Sequence, residues 1–507
     1  MSSFNIKRRN LVDINQAGIT TANGEPLTTF GELAVAQLTP TAQADFIYSI
    51  NDRMFTIGTF ASASVAISGG LGIAQSGVNP TGSAVLKLRR NLKYRPGMGS
   101  LMRATAMFDT PVDFNAQLLG IGNTESGYYF GYVGTSFGIV HQQTGQAETR
   151  KLTITTGGGT GIVTVTLDGY SVAVPITGGN DPATTAYQLA LYDYTNVGAG
   201  WRADAVSSSV YFVSGRANPY TGSYSATGNS VVGTFSTLLS GAAANSVITP
   251  QSSWNIDHCD GAGLSGFNIN PQKGNVYQIG FQYLGFGNAF FAIENPATGR
   301  MIPVHMVQNA NARTTPVLKN PQAAVRLVSA NFGSTTSVKP KTASMAAFTE
   351  GMMKKLDPRF AISNSFTNYN STTDAPIIAL KVNRVYNDVS CFSEFDILRI
   401  AASNESASKT LTVSFYKDVK IGGNVNFKYT DSNNSAVSYA LLTVGTNTVD
   451  VTGKIPFLTF NIGPNNSQTI NIGEEELVFN VGEIVVITVH TTGLMSGEIG
   501  VNWFEQQ

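Results

Sequence analysis

From about residue 46 the chain breaks into short β-prone runs, "DFIYSI", "SAVLKLRR", "SLMRATAMFDT", "FNAQLLGIG", "GYYFGYVG" and "SFGIVHQQ", separated by Gly, Asn, Pro and Ser. Such runs favour pleated, half-buried strands, and many short strands joined by turns bury their apolar faces by packing sheet on sheet. The chain is therefore expected to be mainly β, built from antiparallel sandwiches. In "AVLKLRR", Leu86 and Leu88 alternate with Lys87 and Arg89, so the leucines take one face of the pleat and the cations the other. A solvated strand face is the commoner meaning of that pattern; an anionic partner is the alternative.

A chain of 507 residues has room for two to four domains at about 100–200 residues each. Residues 1–45 are polar and irregular, with the turn pair Asn23-Gly24 and Pro26, and read as an N-terminal arm. Residues 46–350 read as a β-sandwich domain interrupted at about 151–240 by a small α+β module. In that module Asp168-Gly169 joins two alternating strands as a two-residue hairpin. Asp181 then offers an N-cap and Pro182 a first helical position, with Ala186, Leu189 and Ala190 on one helical face. Long insertions of this kind cost little when they leave from a loop.

After the insertion, "VYQIGFQYLGFGNAFFAIE" predicts two strands bent at Gly285 and Gly287, with Val276, Gln278, Phe281 and Tyr283 carrying bulk and the rings filling a core. "AFTEGMMKKLDPRF" predicts a short helix or turn at a boundary near 350–360. Seven further runs, from "PIIALKVNRVY" to "EIGVNWFEQQ", predict a second sandwich over 356–507.

Several chemistries find no support. Lys+Arg 32 and Asp+Glu 32 cancel, so no overall field steers the chain to nucleic acid or an anionic membrane. The terminal run Lys7, Arg8, Arg9 reads as a solvated charge cluster before a nucleic-acid contact. No segment approaches the roughly 18 apolar residues of a membrane helix, and "MSSFNIKRRN" is not followed by the apolar stretch of a signal peptide. Charged residues are 13% against a usual ~25%, so Ser, Thr, Asn, Gln and Gly must cover the surface. Cys259 and Cys391 are too few for a disulfide framework, though a single bridge between them stays open.

The glycines 157, 158, 159 and 161 lack the Lys-Ser/Thr of a phosphate loop. His141, His258, His305 and His490 show no helical metal spacing, and His141 and His305 read as packed or edge histidines. "WNIDHCDGAG" groups Asp257, His258 and Asp260 but departs from the calcium-loop pattern and reads as a polar turn. Glu148, Asp257 and Glu294 are acids near strands without a glycosidase spacing to pair them. No catalytic, cofactor-binding or metal-binding residue is assigned and no cofactor is expected. Tyr128, Tyr129 and Tyr132 are the candidate contact residues for a glycan or a protein partner, because rings with polar tips suit both.

The runs "KYRPGMGSLMRATAMFDTP", "QLLGIGNTESGYYFGYVGTSFGIVH", "VTVTLDGYSVAVPIT", "SSWNID", "GNVYQIGFQYLGFGNAFFAIENPATGRMIPVH" and "LKNPQ" together resemble a group of virion structural proteins of large DNA viruses, related eukaryotic viruses and phages. The resemblance spans roughly residues 40–350; "FYKD", "YTDSNNSAVSYA" and "IGVNWFEQQ" look like the closing β domain often attached in that group. It implies a concanavalin-like or jelly-roll sandwich in a capsid, vertex or fibre component at a particle surface, and it carries over no catalytic residue. The function expected is a non-enzymatic virion structural protein that assembles through its arm and sandwich surfaces. Its partners would be copies of itself, as a homo-oligomer, and other virion proteins, with no specific nucleic acid and no membrane insertion. A glycan-binding adhesin for host attachment is the alternative, and a polysaccharide hydrolase the third reading.

Overall fold

Side-chain alternation along the strands decides what each sheet buries. The structure, a computed structural model, describes residues 37–92, 94–178, 181–351, 358–472 and 477–506. In Ser83–Leu88, Ala84, Leu86 and Leu88 are buried while Ser83, Val85 and Lys87 take the opposite face. Among the described residues, the first sandwich sets a six-stranded sheet against a seven-stranded one. The seven run in the order Asn245–Pro250, Ser136–Gln143, Gly127–Val133, Asn115–Gly122, Ala324–Asn331, Ser83–Leu88 and Phe55–Phe60, all antiparallel. Rings from the two inner faces interlock: the Phe130 centroid lies 4.9 Å from Tyr277 and 5.2 Å from Phe291.

A second sandwich follows from Arg359, with Ile378, Leu380, Phe395, Val413, Ile487 and Trp503 between its sheets. The chain is thus mainly β, with two antiparallel sandwiches, the first interrupted by a small α+β unit.

That unit forms as its local signals dictate. Asp168 and Gly169 have φ of 51° and 81°, the left-handed pair that a two-residue hairpin needs, between Gly161–Leu167 and Tyr170–Ile176. The helix Pro182–Ala190 is capped by the Asp181 carboxylate, which accepts from the Thr184 amide at 2.8 Å. Its tertiary placement is less local. Leu152, Ala186, Tyr187 and Phe212 of the insertion share one apolar core with Ala379, Tyr416, Phe427 and Val486 of the second sandwich.

Four expectations need correcting. Leu38–Asp45, assigned to the arm, is an edge strand paired with Ser344–Glu350, because Thr41 and Ala44 point inward; residues 1–36, including Lys7, Arg8 and Arg9, lie outside the described residues. "AFTE" is the end of that strand Ser344–Glu350, its register fixed by pairing with Gly99–Ala106, while 352–357 of the expected short helix or turn lie outside the described residues. "DFIYSI" forms no strand beyond Asp45; Phe46 turns wholly into the core while Tyr48 is 94% exposed. In Asn275–Phe281 the inward residues are Tyr277, Ile279 and Phe281, so Val276 and Gln278 face away, and past the bend Phe286 and Phe290 are exposed. Cys259 and Cys391 are both free and buried, one in each sandwich core.

Candidate functional site

The outer face of the seven-stranded sheet is not a solvated face. Strand register sets Thr56, Lys87, Arg326, Gly120 and Tyr129 in one row across five neighbouring strands. Lys87 and Arg326 stand directly opposite each other, a placement of like charges that is unfavourable unless a counter-charge relieves it. The inserted module and the second sandwich lie over this row. Between the three units is a cavity of about 570 Å3.

Seven of the side chains lining this cavity are Lys or Arg and three are Asp or Glu, so its field is strongly positive. Three of the cations are engaged. Arg89 pairs with Glu483, and Lys417 Nζ lies 3.2 Å from the same carboxylate oxygen. Arg216 donates to the Thr81 carbonyl at 2.5 Å and lies 3.8 Å over the Phe60 ring. The other four converge with few partners. Among the described residues, no hydrogen bond or ion pair engages the Lys87 ammonium or the Arg202 guanidinium. Arg326 donates through Nη1 to the Asn123 carbonyl, but its Nε is buried without a partner. Arg384 Nε has no hydrogen bond either, standing 3.6 Å from Asp204 Oδ2.

The electrostatic consequence is large. Burial, then the charges of Arg326, Arg202 and Arg384, push the Lys87 ammonium down to about 8, with Glu394 pulling the other way. Burial and Arg384 lower Arg202 to about 10, with Asp193 opposing. Burial holds the Glu483 carboxyl above the usual carboxylate range, against Arg89.

The tyrosines singled out in the sequence are all buried. Tyr128 and Tyr132 point into the first core. The Tyr128 hydroxyl accepts from Asn309 at 3.2 Å and its ring stacks on His141 at 4.4 Å; Tyr132 packs 5.2 Å from Phe137. Tyr129 takes the outer face, yet it is 1% exposed, lying flat where Gly120, Gly122 and Gly127 leave no Cβ in its way, and it touches the cavity only through Arg326. All three are covered because the runs on both sides of "GYYFGYVG" are interior strands of the sheet. Of the cavity's cations only Lys87 and Arg89 were marked in the sequence; Arg202, Arg326 and Arg384 were not.

The remaining candidates are structural. His141 Nε2 donates to the Val317 carbonyl at 3.1 Å, and burial pushes the imidazole down to about 4. Burial works against the Asp257 carboxylate, but the amides of Cys259 and Ser265, each 2.8 Å away, hold it below its ordinary range, as expected of a turn-capping residue. Glu148 is tied to Arg150 and the Tyr224 hydroxyl. Among the described residues no group of three or more His, Cys, Asp or Glu is placed to hold a metal ion, and no helix is long and apolar enough to cross a membrane.

No family model matches the chain, and no curated protein is similar to it in sequence. Among solved structures, the carbohydrate recognition domain of Emp47p is 8% identical over 62% of this chain and 98% of its own, with a TM-score of 0.27. A glycosyl hydrolase family protein from Mycobacterium fortuitum is 9% identical over 61% of this chain and 99% of its own, with a TM-score of 0.28. Arcelin-5, a lectin-like defense protein from Phaseolus vulgaris, is 8% identical over 63% of this chain and 100% of its own, at 0.26. Likenesses of this size fix neither ligand nor activity; the sheets and their register carry the fold.

Proposed function

We propose that this chain is a non-enzymatic glycan-binding protein of a virion surface, an adhesin whose ligand sits in the cavity over the outer face of the seven-stranded sheet. The observation that carries the reading is the cavity itself. Its volume of about 570 Å3 falls in the range of small-molecule sites, roughly 300–1,000 Å3. Its floor is made by strands, which position side chains more closely than loops do. Hydroxyl and amide groups of Thr56, Ser83, Asn91 and Asn123 line it, a polar surface suited to a ligand rich in hydroxyls.

Binding accounts for the acids better than turnover does. Glu483 is neutralised by Arg89 and Lys417, and Asp418 accepts from the Ile484 amide at 3.0 Å, so neither is offered across the cavity as half of a hydrolytic pair. The virion setting rests on the sequence resemblance, which also favours a structural role alongside attachment, with copies assembling through the arm and sandwich surfaces.

Val85 tests the proposal without altering charge, because it lines the floor on the same face as Lys87. The full chain printed over a glycan array should bind a defined subset of sugars, and Val85→Phe should weaken that binding at least tenfold. A folded wild-type chain that binds no sugar, or equal binding by the variant, refutes the site.

A further inference from the structure

We infer that Lys87, Arg202, Arg326 and Arg384 form an anion-recognition site, and that the ligand is an acidic saccharide carrying carboxylate or sulfate groups. The inference rests on the glycan reading above and adds the charge of the ligand to it.

Three independent features meet here. The register of the sheet forces Lys87 opposite Arg326, and the neighbouring outward position is Gly120, which adds no side chain beside them. The module contributes Arg202, whose guanidinium reaches the strand floor beside Gly58. The second sandwich contributes Arg384, laid over Gly482 so closely that any side chain there would collide with it.

The hydrogen-bonding account points the same way. A cation partly withdrawn from water keeps its charge at lowest cost when its donors are met. Neither the Lys87 ammonium nor the Arg202 guanidinium has a protein partner among the described residues, and Nε of both Arg326 and Arg384 is buried unbonded. Arg89, Arg216 and Lys417 have partners within the protein, so the unmet donors belong to the other four cations of the cavity. Planar carboxylate and tetrahedral sulfate both accept from guanidinium forks and from an ammonium. A neutral sugar would leave several of these donors desolvated and unpaired, which disfavours it.

The test is calorimetric titration of the full chain at pH 7 and low salt with inorganic sulfate, a heparin disaccharide, digalacturonate and neutral maltose. Wild type should bind at least one acidic disaccharide ten or more times more tightly than maltose, with affinity falling as NaCl rises. Arg202→Gln and Lys87→Met, confirmed folded by circular dichroism, should each lose tenfold or more on the acidic ligand. Equal binding of maltose, or acidic binding unchanged in both variants, overturns the anion site while sparing the glycan reading. Sulfate binding that depends on Lys87 and Arg202, with no disaccharide of either kind bound, supports the anion site and overturns the saccharide as its ligand.

Discussion

Lys87 shows how one residue trades stability for recognition. Its folded-state value is about 8 against 10.5 when solvated, so the charged form is disfavoured in the folded protein. The groups that face it are Arg326, Arg202 and Arg384, which lower it, and Glu394, which raises it. Below about pH 8 the lysine is protonated in both states and the folded chain bears the full cost, on the order of 1–3 kcal/mol. Between pH 8 and 10.5 the unfolded chain holds a proton that the folded chain releases, so this contribution becomes less unfavourable as pH rises. Lys87→Met should therefore make the unliganded protein more stable at pH 7, by a degree or so in Tm, with the advantage shrinking toward pH 10. Scanning calorimetry of both proteins at pH 7 and pH 10 measures the difference, and a less stable variant at pH 7 would contradict the electrostatic assignment.

Among the elements, the helix Pro182–Ala190 ties the module to the second sandwich. It was legible from Asp181, Pro182 and its apolar spacing, but what it packs against was not. Tyr187 lies 5.8 Å from Phe427 of the second sandwich and its hydroxyl accepts from the Ile421 amide at 3.1 Å, while Thr184 accepts from the Val425 amide at 3.2 Å. Tyr187→Ala removes a buried ring and leaves an amide unpaired, a loss of about 3 kcal/mol. Hydrogen exchange should rise in 182–190 and 419–427 and stay unchanged in Gly127–Val133; uniform loosening, or none, would show that the helix does not hold the module down.

The same element shows which signals sequence carries. Turn chemistry and caps are local, so Asp168-Gly169 and Asp181 read correctly. Strand alternation told which face of "AVLKLRR" would be buried but not what would cover the other one. A cue was present in "PIIALKV" and "IVVITV", where apolar runs without alternation mark strands buried on both faces. Ala375–Val382 is buried at every position, one face on its own sandwich and the other on the module. The burial of the tyrosines was not legible because ring content says nothing about whether a strand is central or marginal, and "GYYFGYV" is central.

At the scale of the whole molecule, order along the chain and order in space part company. The module is inserted in the first sandwich, yet its apolar core is continuous with the outer face of the second. Lys381 strengthens that union, donating at 2.6 Å to the Ala205 carbonyl over the Phe427 ring. The contacts joining the first sandwich to the second are polar: Arg89 with Glu483, the Asn91 amide with Glu394 at 2.9 Å, and Ser390 with Glu125 at 2.7 Å. Polar interfaces of this kind separate at lower cost than a shared apolar core. Unfolding should therefore proceed in two cooperative steps, the first sandwich as one unit and the module with the second sandwich as the other. Hydrogen exchange resolved along a urea series tests this directly. Strands Gly161–Leu167 and Ser209–Val213 should lose protection together with Ala375–Val382 and Ile484–Thr491, at a urea concentration different from that for Gly127–Val133 and Ala324–Asn331. If the module instead exchanges in step with the sandwich that interrupts itself to hold it, the shared core is not the dominant bond, and the cavity's roof would be governed by its polar rim.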